Sequence, residues 1–198
     1  MNILKEYTVK HTNKNFYLLT TIILSLFFSE ITHASFLVEP HFSSVTAKFT
    51  RGDKEGDVSG EVSGLRLGYS DTNFMIGLNF EKGHYTYDSN LTDNAYSHFS
   101  GGGVGTFIGF HFFERVRIWS GYLNSALESN TNSSQRFFGQ QVEIGVGYRV
   151  WQNVLINYSY FNNYFTQEES DITGKTGSID EVIRVVGSKI SVSAIFIF

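Results

Sequence analysis

The sequence predicts an all-β chain that closes as an eight-stranded antiparallel up-and-down transmembrane β-barrel. Three observations carry the prediction. Eight segments alternate apolar and polar residues at the period of a strand, the connections between them alternate short and long, and the last nine residues run from Ile190 to a terminal Phe198 with Ile190, Val192, Ala194, Phe196 and Phe198 on one face. Successive side chains of a strand point to opposite faces, so such segments have one face suited to lipid. Mean hydropathy is −0.11, and beyond residue 34 no run approaches the ~20 apolar residues of a spanning helix. Membrane insertion therefore requires a closed barrel in which every backbone group pairs between strands.

Residues 1–34 read as a secretory signal peptide and 35–198 as the barrel domain. Lys5, Lys10 and Lys14 precede the apolar run Phe16 to Phe28, and Thr32-His33-Ala34 offers small residues for cleavage near Ser35. A retained anchor helix is the alternative, and the run is short for it. Removing the signal leaves 12 basic and 17 acidic residues, a net charge of −5. That balance excludes a nucleic-acid binder. Cysteine is absent, so there is neither a disulfide nor a lipoprotein acceptor. Nineteen Gly, 19 Phe and 11 Tyr stand against the single Pro40, a composition that favours strands.

Taken in order, the first segment, Phe36 to Phe49, turns Glu39 and His41 inward if its apolar parity faces lipid. Gly60 to Tyr69 turns in Arg66, and Phe74 to Tyr85 turns in Asn79 and Glu81. Phe99 to Phe112 places Gly101, Gly103, Gly105 and Gly109 inward, leaving room for large side chains opposite, such as Trp119 or the arginines. Val116 to Leu127 contributes Arg117. Phe138 to Val150 alternates best, with only Gln140 breaking its apolar face, and contributes Gln141, Glu143 and Arg149. Its 13 residues exceed an ordinary strand of about 5 to 6 and suit a tilted membrane strand of about 9 to 11. Val154 to Phe165 contributes Asn157, and Val182 to Phe198 contributes Lys189.

The short connections are 70–73, 113–115 and 151–153, and long polar ones run roughly Thr50 to Ser59, Thr86 to His98, Glu128 to Phe137 and Thr166 to Glu181. Tyr69, Phe74, Phe110, Phe112, Tyr148, Trp151, Phe196 and Phe198 lie beside the short turns or the terminus, where an interfacial belt needs aromatic rings. Tyr85, Tyr87, Tyr96, Phe99, Phe138, Tyr160 and Tyr164 are expected to form a second girdle.

The closing Ile190-Ser-Val-Ser-Ala-Ile-Phe-Ile-Phe198 resembles the terminal assembly signal of bacterial outer-membrane barrels. From Ser35 to Phe198 the chain resembles the small eight-stranded group that includes the OmpA transmembrane domain, OmpX and the opacity-like proteins. The resemblance implies location in the bacterial outer membrane, short turns in the periplasm and long loops outside. It implies as partners the barrel assembly machinery, outer-membrane lipid and lipopolysaccharide, and a host or surface ligand for the loops. A monomer without a cofactor or nucleic-acid partner is expected.

Opposite charges in a narrow lumen should pair, because a lone ion there is costly to desolvate. Glu39, Arg66, Glu81, Arg117, Glu143, Arg149 and Lys189 thus read as a polar plug rather than a channel. The expected function is non-enzymatic: four extracellular loops presented for envelope integrity or surface adhesion. Lipid A deacylases of this barrel size use a His, a Ser and an acid, which makes acyl-ester hydrolysis by Ser100 with His98 the enzymatic alternative. The Asn that follows Ser in their motif is Gly101 here; the similar His41-Phe42-Ser43 is followed by Ser44. His41, His84, His98 and His111 lie on different segments and indicate no metal site. The run Gly101 to Gly105 has no following helix or Lys-Ser/Thr pair to make a phosphate loop. Arg51-Gly52-Asp53 in the first loop, the tripeptide that integrin ligands display, reads as a chance match in a polar loop, and so does a weak divalent-cation contact by Asp53, Glu55 and Asp57.

Overall fold

The structure, a computed structural model, describes residues 35–88, 98–129, 135–170 and 175–198. The proposed signal peptide and Tyr96 lie outside the described residues. The strands are β1 (Ser35–Arg51), β2 (Lys54–Ser70), β3 (Phe74–Asp88), β4 (His98–Phe112), β5 (Val116–Ser129), β6 (Gln135–Arg149), β7 (Val154–Ser170), β8 (Lys175–Ala194) and β9 (Phe196–Ile197). From β1 to β8 each strand pairs antiparallel with the next, and β8 and β9 both return to β1, which closes the barrel. β9 continues β8 past Ile195 in the same register, so the wall has eight staves. The two ends are tied together: Phe36 and Phe198 exchange both backbone hydrogen bonds at 3.0 Å. Closure leaves no sheet edge to be solvated by lipid, which is the condition for a spanning sheet.

The strands outrun their sequence-based limits at the end bearing the long connections. Thr50 to Ser59, expected as a polar loop, is mostly strand: Arg51 pairs with Lys54 across a two-residue turn, Gly52-Asp53. Gly52 has φ +55°, a conformation that glycine adopts without a Cβ penalty. Polar residues misled the reading because strand formation here depends on pairing, not on an apolar face. The 17 residues of β1 extend about 56 Å along the strand at about 3.3 Å each, or about 43 Å of height at a tilt near 40°. An apolar transmembrane band is about 25 Å tall. The wall therefore rises well beyond it.

The outward side chains change accordingly. Toward the short turns the exterior carries Phe36, Tyr69, Ile76, Leu78, Ile108, Ile118, Tyr148, Ile156 and Val192, all exposed and apolar. Toward the other end the exterior becomes Thr46, Lys48, Asp57, Ser59, Glu61, His84 and Thr86. The expected second girdle is corrected here. Phe99 is buried inside the barrel, and Tyr85 and Tyr87 pack against its inner core, leaving Tyr160 and Tyr164 exposed and Phe138 half-buried.

Candidate functional site

Two ion clusters occupy the lumen. Near the short turns, Glu39 accepts both terminal nitrogens of Arg117, one to Oε2 at 2.6 Å and one to Oε1, while Arg66 Nη1 donates to Oε1 at 3.2 Å. Arg117 Nη2 also donates to Asn157 Oδ1 at 2.8 Å, and Asn157 donates to Ser193 Oγ at 3.0 Å. The Arg66 guanidinium lies 3.8 Å from the centre of the Trp119 ring, a stacking that suits its planar, weakly hydrated charge. Gly145 makes room for that ring: a Cβ there would lie 2.5 Å from Trp119 Cε2.

Farther along the lumen Lys189 Nζ bridges Glu81 Oε2 at 2.7 Å and Glu143 Oε2 at 3.0 Å. Gln141 and Ser159 donate to Glu143, Asn79 donates to Glu81, and His41 Nε2 stands 3.8 Å from Glu81 Oε1. The first cluster holds one acid and two arginines and the second holds two acids and one lysine. With His41 neutral the six charges cancel across the pair of clusters. Of the seven residues assigned to the plug, the structure brings six into these clusters. Arg149 stands apart at the barrel end, and its Nε has no hydrogen-bond partner among the described residues.

Above the Lys189 cluster the lumen turns apolar, a region that sequence reasoning missed. Val45, Ala47, Val58, Val62, Phe99, Leu127, Phe137, Phe161, Phe165, Ile183 and Val185 form one buried cluster. A cavity between it and the ion cluster has 40 Å³ of free space, room for a few water molecules. The described lumen is thus filled below by salt bridges among a second apolar cluster of Leu37, Met75, Phe107, Trp119, Leu155 and Ile195, and above by packed rings and aliphatic chains. The missed signal was a phase shift. On β1 the apolar parity is even through Phe42 and odd from Val45; on β7 it is even through Tyr160 and odd at Phe161 and Phe165.

The Ser and His candidates separate by face. His41 and Ser43 are buried in the lumen, whereas His98 and Ser100 lie on the outer parity of β4. Ser100 pairs with His84 of β3 on one side and with Glu128 of β5 on the other. Glu128 faces Arg136, at 3.7 Å. An open groove of about 610 Å³ runs over this wall, lined by Ser44, Thr46, Ser59, Glu61, His84, Thr86 and His98 among others. His111, the last histidine in the sequence, bonds Ser70 Oγ at 3.1 Å near the short turns. Among the described residues no group of three or more His, Cys, Asp or Glu is placed to hold a metal. Ile190, Val192, Phe196 and Phe198 are exposed on the outer wall and Ala194 is half-buried there.

No protein-family model and no curated protein matches the sequence. Solved structures do. Ail, the attachment invasion locus protein of Yersinia pestis, crystallised with the heparin analogue sucrose octasulfate, superposes with a TM-score of 0.52 at 11% identity, over 83% of this chain and 100% of that one. Neisserial surface protein A gives 0.48 at 18% identity, over 82% and 99%. OprG of Pseudomonas aeruginosa gives 0.47 at 11%, over 83% and 96%.

Proposed function

We propose that this chain, which has the fold of the small eight-stranded outer-membrane barrels, sits in the bacterial outer membrane as a sealed wall that presents its hairpin tips at the cell surface. The observation that carries this reading is the reversal of polarity along β1 and β2, whose outward side chains turn polar and inward ones apolar toward the long connections. An apolar exterior over an ion-paired lumen suits the bilayer, and a polar exterior over an apolar lumen suits water on the outside. The polar stretch lies at the end of the longer connections, which puts Gly52-Asp53 outside the cell and the Phe113-Glu114-Arg115 turn in the periplasm. The packed lumen supports an anchor and display role over a pore. The exposed terminal face of Ile190, Val192, Phe196 and Phe198 suits recognition by the assembly machinery before insertion.

Single cysteines at Asp53 and Glu114 test the arrangement on intact cells with a membrane-impermeant thiol reagent. Labelling at Asp53 and protection at Glu114 until the outer membrane is opened is the expected result, and the reverse pattern overturns it. For the display role, cells carrying the protein are compared in attachment assays with cells whose Arg51–Lys54 tip is replaced by Gly and Ser. Reduced attachment at equal surface level supports display, and equal attachment removes this tip from the role.

A further inference from the structure

One arrangement on the outer wall is used neither by hairpin display nor by the lumen network. Strand pairing sets Glu61 of β2 opposite His84 of β3, and His84 opposite Ser100 of β4, in one unbroken row. All three occupy the outward parity; Glu61 and His84 are exposed and Ser100 is half-buried. Directly paired side chains have Cβ atoms about 4.5–5.5 Å apart. His98, two residues along β4, is about 6.6 Å from Ser100 and has no acid paired behind it, since its partner is Thr86. Register therefore favours His84, not His98, as the base for Ser100. In the register His84 comes between Ser100 and Glu61, the order of nucleophile, base and acid that nucleophilic catalysis uses; rotation of the three exposed-face side chains would bring them into contact.

The surroundings fit an ester of a lipid. The next outward position from Ser100 toward the apolar belt is Gly102, which leaves that flank without a side chain, and Val104 follows, exposed. Lys82 pairs with Gly102 and brings a cation beside the place where a carbonyl oxygen would gain charge. On β2 and β3 the apolar exterior begins only two outward positions below Glu61 and His84, at Leu65 and Phe80. The groove over Glu61, His84 and His98 opens on the same face. In a membrane this is the depth at which acyl chains join headgroups.

We infer that Ser100, His84 and Glu61 form a hydrolytic site on the exterior of the barrel for carboxylic esters of outer-leaflet lipids. The inference rests on the membrane placement proposed above. Ser100 Oγ attacks the ester carbonyl carbon while His84 takes its proton; collapse expels the lipid alkoxide, which receives that proton from His84, and leaves the acyl group on Ser100. Water, deprotonated by His84, then attacks the acyl carbon, and Ser100 regains its proton. One water is consumed and one fatty acid is released. Glu61 acts as a positioning residue for His84.

The protein folded in detergent micelles is treated with a fluorophosphonate probe and, separately, with vesicles of diacyl phospholipid or purified lipopolysaccharide, and free fatty acid is measured by mass spectrometry. Covalent labelling on Ser100 and acyl release are expected, with both lost in S100A and lowered about 100-fold or more in H84Q. E61Q should lower the rate by a smaller factor and shift its pH profile. Heat-dependent gel migration confirms that each variant is folded. A folded wild type that takes no probe and releases no fatty acid overturns the site, as does activity that survives S100A or depends on His98 instead of His84. Release from only one vesicle type identifies the lipid class. The micelle assay does not depend on cellular location, so membrane fractionation reads the placement separately.

Discussion

The two halves of the barrel obey the same strand period with opposite polarity. Near the short turns β1 places Phe36 and Phe42 outside and Glu39, His41 and Ser43 inside; beyond them it places Thr46 and Lys48 outside and Val45 and Ala47 inside. β2 makes the same change, from Tyr69 outside and Arg66 inside to Glu61 outside and Val62 inside. The change teaches that neither face of a barrel strand is intrinsically the apolar one. Apolar side chains go wherever water is absent: into lipid where the wall is in a bilayer, into the lumen where the wall stands in water. The half near the short turns is held by specific ion pairs set among packed apolar side chains such as Leu37, Met75 and Phe107, and the other half by packing alone.

The comparison breaks most readily at the first ion cluster. Glu39→Gln keeps the shape but leaves Arg66 and Arg117 uncompensated, and should cost about 3–5 kcal/mol of unfolding free energy. Urea titration of the protein folded in lipid vesicles checks this, and a loss under 1 kcal/mol would mean the arginines find other partners. Next in size is a charge on the exterior. Ile156→Arg, in the apolar belt, should cost about 2–4 kcal/mol, and Thr46→Arg, on the polar wall, about 0–1 kcal/mol. Equal costs at the two positions would abolish the distinction between the halves.

A smaller effect is expected at Gly145, where a methyl group meets the Trp119 ring already stacked on Arg66. Gly145→Ala should cost about 1–3 kcal/mol through overpacking and should alter Trp119 fluorescence. Smallest is the short turn, where Phe113 and Glu114 both have φ of 52°. Left-handed backbone costs a residue with a Cβ about 1–2 kcal/mol, so Glu114→Gly should raise the unfolding free energy by about 1 kcal/mol, read as a higher urea midpoint. No gain there would place the strain elsewhere.

Much of this architecture is legible residue by residue. The short turns, the strand count, the outward Ile190 to Phe198 face and the inward parity of Glu39, Arg66, Arg117, Glu143 and Lys189 all follow from alternation and turn spacing. The upper core was legible too, in the even-to-odd shift after Phe42 or Tyr160, but only to a reading that lets parity change along a strand. What no spacing discloses is the pairing. Glu39 meets Arg117 across 78 residues of chain, and Lys189 meets Glu81 across 108.

Sequence alone determined which residues lie on which side of each strand, because side-chain alternation is local and needs no partner. Tertiary structure alone decided who meets whom: that Glu39 serves two arginines, that Lys189 bridges two acids, and that Ser100 faces His84 rather than the nearby His98. Those outcomes depend on register and on the shear with which the sheet closes, and a one-residue slip of a strand would send that strand's side chains to the other face.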